Sequence, residues 1–345
     1  MKIGLYMISA LLFVIATAIA VYMINPGTYS FEAFGVHLPS LPVSVWVAIP
    51  VALLALFSIL HMIVYGTKAY LNIKKWRNDA KKVEDVVYWS LIKEPTEVNF
   101  THDELKRNIA LLFHSTLNVK EYDASELPAK IKETLKVIKE IEAGKFIDLS
   151  RVKFAKHLSE NNEIIMQNYK NHLEEEPNFA LKVIDFKEKY PQEIYELALD
   201  KAALTQDFFT LKKYAKELGK KRFFTLFERV SKKENLGLSI DMLRSFLEHY
   251  DLECKDYLKI AEKVLELFNP DENLELFKSF VTKDEDAVSG YLYLLFRYEL
   301  LDKVEDILDE HGKDEYKAFR ALLILKRNKH NFKVFDFINE ENACK

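Results

Sequence analysis

Residues 3–24, IGLYMISALLFVIATAIAVYMI, contain no charged side chain. As an α-helix this stretch would be about 33 Å long, enough to cross a bilayer hydrocarbon core of about 30 Å. We therefore predict a transmembrane helix. A cleaved signal peptide is the alternative, with Met1 and Lys2 as its basic start and Ala18-Ile19-Ala20 as its cleavage site. The apolar run continues through residues 21–24, where a signal peptide would become polar, and this favours the transmembrane helix.

A second apolar segment lies at about residues 45–65, with Pro50 one turn inside it. Asn25-Pro26-Gly27 ends the first helix, because proline lacks the amide proton that a helix needs. The connecting loop has no Lys or Arg, and its aromatic residues suit the headgroup region; they are Tyr29, Phe31 and Phe34. We expect a plain connector there and a binding site as the alternative. His61 is expected to be a residue of the helix end, with a proton relay as the alternative.

A basic run begins directly after the second span. Its members are Lys68, Lys74, Lys75, Arg77, Lys81 and Lys82, and the only acid among them is Asp79. By the positive-inside rule this side is cytoplasmic, the loop at 26–44 is outside, and Met1 and Lys2 are inside. In a bacterium the protein would lie in the inner membrane. The same six cations are candidate contacts for anionic lipid headgroups, although their role as a topology signal is sufficient to explain them.

The pattern divides the chain into four parts. The predicted parts are a two-helix anchor at 1–66, a basic helical stalk at 67–93, a helical connector at 94–149 and a repeat domain at 150–345. No Gly or Pro interrupts 67–93, so the second span is expected to continue as the stalk. There an apolar stripe, which we expect to dock on the next domain of the chain, is formed by Val83, Val86, Val87 and Ile92.

The connector carries two recognisable helix signals. Thr101-His102-Asp103-Glu104 has the form of a capping box, which predicts a helix opening there. Another helix begins after Pro128 and is expected to stop at Gly144. Its lysines alternate with glutamates, which indicates a solvated face in preference to a nucleic-acid or lipid patch.

From about residue 150 onward, short helices succeed one another with a regular spacing. Predicted openings are separated by 34, 32, 29 and 29 residues; they are Asp207, Asp241, Asn273, Asp302 and Asn331. Partner helices fit between them, at about 192–203, 221–232, 255–267, 285–298 and 314–328. The apolar residues that follow each opening lie on one helical face and are expected in the core, among them Phe208, Phe246 and Phe277 and, in the last helix, Phe332, Phe335 and Ile338. Two helices in 30 to 34 residues are typical of a helical-hairpin solenoid of the tetratricopeptide type. The Trp, Leu-Gly, Tyr and Pro of that repeat do not recur, so an irregular helical bundle is the alternative. The predicted fold class is all-α.

Composition and motifs argue against several kinds of function. The net charge of −4 and the pI near 6.2 disfavour nucleic-acid binding by bulk positive charge. The only cysteines, Cys254 and Cys344, show no metal-ligand spacing and are expected to be reduced structural thiols. There is no phosphate-binding glycine loop, no HExxH and no GxSxG. We therefore expect no catalytic residues, cofactor, metal or small-molecule substrate, and we expect that the protein is not an enzyme.

The first 80 residues resemble the LapA family of two-span inner-membrane proteins. The resemblance consists of the Ile24-Asn25-Pro26 exit, Phe31 and Phe34 in the loop, Leu41-Pro42 at the second entry and the basic stalk from Lys68. HemY-like proteins couple two such spans to tetratricopeptide repeats, and this plan implies a role in organising envelope biogenesis complexes. The chain is also similar to the FlgX-type flagellar export chaperones of Campylobacter-like bacteria, to which its Lys-, Phe-, Asn- and Glu-rich composition is suited. No functional residue is implied by either resemblance.

The sequence thus predicts a membrane-anchored adaptor whose cytoplasmic repeats bind protein partners in or beside the inner membrane and aid assembly of a membrane complex. The first alternative is a regulatory or transport subunit acting through its spans, which would require oligomers because the spans carry no charge. The second is an unrecognised enzyme, which would require a pocket with converging carboxylates or histidines.

Overall fold

The computed structural model describes residues 3–30, 32–33, 36–37, 39–123, 125–330 and 332–344. Helix accounts for 69% of the chain and strand for 2%, so the prediction of a mainly helical protein is confirmed. Five residues used in the sequence interpretation lie outside the described residues: Met1, Lys2, Phe31, Phe34 and Asn331. The chain forms two compact units, Met1–Lys132 and Glu133–Lys345.

The first unit contains two long helices, a short strand-paired loop and a small helical cap. Its elements are α1 (Ile3–Ile24), β1 (Thr28–Tyr29), β2 (Glu32–Ala33), β3 (Val36–His37), β4 (Leu41–Pro42), α2 (Val43–Leu91), α3 (Asp103–Ile109) and a 3-10 helix (Ala110–Phe113). β1 pairs with β4 and β2 with β3, both antiparallel. The loop that we expected to be a plain connector therefore contains two short strand pairs.

The second span and the stalk are one helix. α2 runs for 49 residues from Val43 to Leu91 and includes Pro50 near its start. This confirms the prediction that the span continues without a break. Val86 and Ile92 are buried, and α2 packs there against the 3-10 helix at 110–113 of the same unit. The apolar stripe thus fixes the end of the stalk to its own unit.

The second unit is a succession of short helices after α4 (Ala129–Glu142), which ends as predicted at Gly144, whose φ of 89° suits glycine. The helices are α5 (Glu163–Glu175), α6 (Phe179–Asp185), α7 (Gln192–Thr205), α8 (Phe208–Leu211), α9 (Ala215–Glu228), α10 (Ile240–Leu247), α11 (Cys254–Leu267), α12 (Pro270–Val281), α13 (Ala287–Arg297), α14 (Leu301–Asp309), α15 (Lys317–Arg327) and α16 (Val334–Phe337). Three 3-10 helices, at 149–151, 153–157 and 187–189, precede α7, and a fourth at 212–214 joins α8 to α9. Gly219, at φ 73°, kinks α9.

Within this unit several helices pack both against a neighbour in the chain and against the next helix but one. α7 contacts α5, α6 and α9, and α13 contacts α11, α12 and α14. The even-numbered helix α10 likewise contacts α12. Most apolar residues predicted for the interior are buried, including Phe208, Phe246 and Phe277.

Three of the predicted helix openings are displaced. α14 begins at Leu301, one residue before Asp302. α12 begins at Pro270, capped by Asn269 in a capping box with Glu272, whereas Asn273 is fully buried inside the helix. Asn273 instead donates hydrogen bonds from its amide nitrogen to the Val264 carbonyl and the Tyr298 hydroxyl. α10 begins one residue before Asp241, because Ser239 accepts the hydrogen bond that caps it.

The predicted final helix with Phe332, Phe335 and Ile338 on one buried face is wrong. Ile338 is buried, but both phenylalanines are exposed, and Val334 takes the interior position instead. The helix α16 is only one turn long, so a pattern spread over seven residues cannot share one face of it.

Gly290 of α13 lies directly against the backbone of α11, and replacing it with alanine is expected to destabilise the protein by about 1–3 kcal/mol. An added Cβ would lie 2.9 Å from the Tyr257 carbonyl oxygen and 2.5 Å from a Phe277 ring carbon. A backbone carbonyl cannot move aside without shifting its helix. The measurement is denaturant unfolding followed by circular dichroism. Gly66→Ala, which adds a Cβ to helix α2 where no atom lies within 4 Å, is the control and is expected not to destabilise.

Candidate membrane anchor and protein-binding groove

The surface of α1 and of the first half of α2 is apolar and exposed. Both helices contain windows of mean hydropathy 2.5, and they are long and apolar enough to cross a membrane. Large side chains project outward along both, among them Leu12, Phe13 and Phe57. A continuous apolar surface of this kind is far larger than soluble monomers expose. The structure therefore supports association of these two helices with a membrane.

Small side chains line the contact between α1 and α2. The two shallow grooves that flank the contact share Ala10, Val14 and Ala55 in their walls. Residues of this size let helix backbones approach closely, which is how transmembrane helices gain packing energy in lipid. At the loop end, the Trp46 indole nitrogen donates a hydrogen bond to the Tyr29 carbonyl at 2.9 Å, which fastens the loop to the start of α2.

His61 lies on the exposed side of α2 and stacks with Tyr65, with ring centroids 4.2 Å apart. No acidic side chain falls within residues 43–65 of the same helix. This segment of α2 therefore offers His61 no carboxylate with which to relay a proton.

Five of the six predicted basic contacts are free for headgroups. Lys68, Lys74, Lys75, Arg77 and Lys81 are all exposed, and within the described part of the chain none forms an ion pair. Lys82 differs from them. Its ammonium donates to the Asn99 carbonyl, lies 3.6 Å from Asp79 Oδ1 and approaches the Phe100 ring. Lys82 is therefore held by contacts within the chain, whereas the other five side chains form no ion pair among the described residues.

Asp79, which in the sequence is only an exception within the basic run, is fully buried. Its carboxylate accepts hydrogen bonds from the backbone N–H of Thr101 and of His102, at 3.0–3.1 Å, and from His102 Nδ1 at 2.6 Å. The His102 ring in turn stacks on Trp76 at 4.1 Å. The predicted capping box at Thr101 is not formed, since α3 has no side-chain cap of its own. Asp79, 22 residues away, supplies the acceptor instead.

Replacing Asp79 with alanine is expected to release residues 99–106 from α2. Burial alone would raise the pKa of this carboxyl, but the hydrogen bonds from Thr101 and His102 and the charge of Lys82 outweigh it and lower the pKa to about 2. Without the carboxylate the two amide protons lose their acceptor, and we expect their hydrogen exchange to accelerate at least about tenfold. The control is Asp85→Ala, on the same helix but half exposed, which is expected to leave exchange unchanged.

Because the pKa of Asp79 is lowered, the attachment of residues 99–106 to α2 is expected to depend on pH. The carboxyl has an ordinary pKa of 3.8 and a lowered one in the folded chain, so its contribution is complete above about pH 4 and is lost as the pH falls towards 2. Fluorescence of Trp76, recorded from about pH 5 to about pH 2 in wild type and in Asp79→Ala, should show this change in wild type only. An identical change in both would contradict the assignment.

A groove of about 480 Å³ lies between α5 and α7 of the second unit. Its apolar walls come from Leu173, Leu197 and Leu204, and the exposure of Leu197 and Leu204 is 36% and 56%. Charged side chains of both signs border it, paired across the groove. They are Lys170 with Glu193, at 2.7 Å, and Lys201 with Glu174, at 2.5 Å.

The acid Asp200 also borders the groove and is held by Arg222 of α9 at 2.5 Å. Asn171 forms part of the floor, where its amide nitrogen donates to the Ile141 and Lys145 carbonyls. Hydrogen bonds thus fix Asn171 in the floor, while the rim consists of ion pairs with at least one exposed partner, which are worth little and exchange partners at low cost. No pattern in the sequence indicates this groove, since its lining comes from two helices whose pairing is set by packing.

No group of three or more His, Cys, Asp or Glu side chains is placed to hold a metal ion among the residues that the structure describes. The groove does bring the carboxylates Glu174, Glu193 and Asp200 near one another, but each is already paired with a cation.

Cys254 and Cys344 form a disulfide, so the expectation of two reduced thiols is wrong. Their Cα atoms are 5.8 Å apart although 90 residues separate them. Cys254 is the first residue of α11, and Cys344 lies beyond the end of α16. Spacing in the sequence does not indicate the pair, because the fold of the C-terminal segment brings it together.

Comparison with known proteins gives no relative: no family model, no curated protein and no solved structure matches this chain.

Proposed function

We propose that this protein is a membrane-anchored adaptor: α1 and α2 span a membrane, and the second unit binds a segment of a partner protein in the α5/α7 groove. The groove is the observation that carries the proposal. It combines apolar walls with a charged rim, and an apolar centre with a polar rim is the usual anatomy of a surface that binds protein. A segment that inserts an apolar side chain between Leu197 and Leu204 and exchanges charges with Lys170 or Lys201 would fit it.

The unit is, in this proposal, a degenerate helical-hairpin solenoid of the tetratricopeptide type. Contacts between alternate helices support it, since α7 packs on α5 and α9, α13 packs on α11, and α10 packs on α12. In such arrays helices of one layer form a continuous binding surface, and α5 and α7 belong to the same layer. No group of side chains that could hold a metal ion occurs among the described residues, and we propose a binding protein, not an enzyme.

We place the second unit in the cytoplasm and the spans in a bacterial inner membrane. The five exposed cations of α2 support this placement by the positive-inside rule. The resemblance of the first 80 residues to LapA-type and HemY-like proteins extends the proposal to its role: the partner belongs to a membrane assembly of the envelope or of flagellar export, and the adaptor aids its assembly or stability.

Photocrosslinking in native membranes tests the groove. A photoreactive phenylalanine analogue replaces Leu197 in the groove or, as control, the exposed Ile324 of α15. The proposal predicts a defined protein adduct from position 197 only. The adduct should disappear with Lys170→Glu/Lys201→Glu, which reverses both rim cations and leaves the buried core intact. Equal adducts from both positions, or an adduct that survives the charge reversal, would contradict binding in the groove.

A further inference from the structure

The helix α13 has almost no exposed surface. Every residue from Ala287 to Phe296 is buried except Tyr291, which is half buried. By contrast α7, its counterpart three hairpins earlier, leaves Glu193, Leu197 and Leu204 open in the groove. Something therefore covers α13 that does not cover α7.

The cover is the C-terminal segment, residues 332–344. Val334, Ile338 and Ala343 are buried, and α16 packs on α13. The Ser289 hydroxyl of α13 donates a buried hydrogen bond of 2.7 Å to the Ala343 carbonyl. Further along, the Arg297 guanidinium lies 5.6 Å from the centre of the Phe335 ring.

The same segment also lies on α11. Lys259 pairs with Glu340 at 3.7 Å, and Cys254 is bonded to Cys344. Burial, together with the negative charge of Glu340, raises the pKa of Glu262, which hydrogen-bonds to Tyr293 of α13. These contacts place the segment over the junction of α11 and α13. In the pair α5 and α7, the equivalent junction is the open groove.

We propose that residues 332–344 cover the α11/α13 surface under redox control. The Cys254–Cys344 disulfide holds them there, and its reduction frees the surface for a segment of a partner protein. This inference rests on the proposed cytoplasmic placement, because a disulfide in a reducing compartment is reversible and serves redox sensing or catalysis. Both cysteines are half buried, within reach of small thiols.

The chemistry is thiol–disulfide exchange with a low-molecular-weight disulfide such as oxidised glutathione. The Cys254 thiolate attacks one sulfur of that disulfide and expels one glutathione thiolate. The Cys344 thiolate then attacks the Cys254 sulfur of the mixed disulfide and expels the second glutathione. Two protein thiols are thereby oxidised, one glutathione disulfide is reduced to two thiols, and a dithiol reductant reverses the reaction.

Hydrogen exchange on the full-length protein in detergent tests the proposal. The protein is oxidised with glutathione disulfide or reduced with dithiothreitol, and exchange is measured by mass spectrometry. Reduction should accelerate exchange in 332–344 and in α13 at least about tenfold more than in α5 and α7. Cys254→Ser/Cys344→Ser should show the reduced pattern in both buffers. Unchanged exchange in 332–344, or equal acceleration throughout 133–345, would overturn the proposal.

Trapping the thiols in intact cells with acid and a maleimide–polyethylene glycol reagent completes the test. A mixture of oxidised and reduced protein that shifts with added diamide supports a switch. Complete oxidation that a membrane-permeant reductant does not reverse would overturn it, even if the purified protein releases the segment. Neither result depends on the crosslinking at Leu197, so failure of the groove and failure of the switch are distinguishable.

Discussion

Replacing Phe223 with alanine is expected to lower the free energy of unfolding of the second unit by about 3–5 kcal/mol. The ring is fully buried at the centre of an aromatic cluster. Its centroid lies 5.4 Å from Phe227, 5.3 Å from Tyr250 and 6.0 Å from Phe246. The substitution removes the transfer free energy of the ring, leaves a cavity that three stiff neighbours cannot fill, and abolishes several aromatic contacts.

The matched control is Phe209→Ala. Phe209 is one residue beyond the buried Phe208, but its own side chain is 77% exposed. We expect its replacement to change stability by less than about 0.5 kcal/mol. Loss of helix is measured by circular dichroism during denaturant unfolding at fixed detergent concentration, and tryptophan fluorescence reports the first unit separately, because all three tryptophans lie there. Similar losses for both variants would show that the cluster around Phe223 is not the core of the unit.

Reduction of the Cys254–Cys344 disulfide is expected to lower the free energy of unfolding of the second unit by an amount comparable to that of the Phe223 substitution. The bond joins residues 90 positions apart, and constraint of the unfolded chain by a loop of that length corresponds to about 4.6 kcal/mol in the chain-entropy model. The helices α11 to α16 all lie between the two cysteines.

The measurement is the unfolding free energy of the oxidised and the reduced protein. Cys254→Ser/Cys344→Ser is the control, and its stability should be low and the same in both buffers. An unfolding midpoint that does not respond to reduction in the wild type would mean that the bond adds no constraint to the unfolded chain.

Local features of this fold could be predicted from the sequence. The apolar length of 3–24, the absence of breakers in 67–93 and the Asp207 opening of α8 each depend on residues close in the chain. Asp207 accepts a hydrogen bond from the Thr210 N–H, a capping contact over three residues that propensity rules describe. The predicted helix at 255–267 likewise begins within one residue of α11.

Features that depend on distant residues could not be predicted. Thr101 has the residue type of a cap, but Asp79 of α2 is a charged acceptor already fixed on a helix and captures both backbone N–H groups. Asn269 and Asn273 are equally good cap residues by type, and only packing selects the first as the cap of α12 and places the second inside the helix.

The disulfide and the groove also depend on residues that are distant in the sequence. Cys344 reaches Cys254 only because 332–344 folds back over α13, and the groove exists only because α5 and α7 pack side by side. No local pattern indicates either fact. By contrast, the five exposed cations and Lys82 look alike in sequence, and only the contact with Asp79 separates the structural one from the rest.

The central claim is that α1 and α2 anchor the chain across a membrane with the second unit on the cytoplasmic side. Protease digestion of inverted and right-side-out membrane vesicles, after an alkaline carbonate wash, tests it most directly. We predict that the protein stays in the washed membrane and that residues 133–345 are digested in inverted vesicles only. Release by carbonate, or digestion of this unit only in right-side-out vesicles, would contradict the claim.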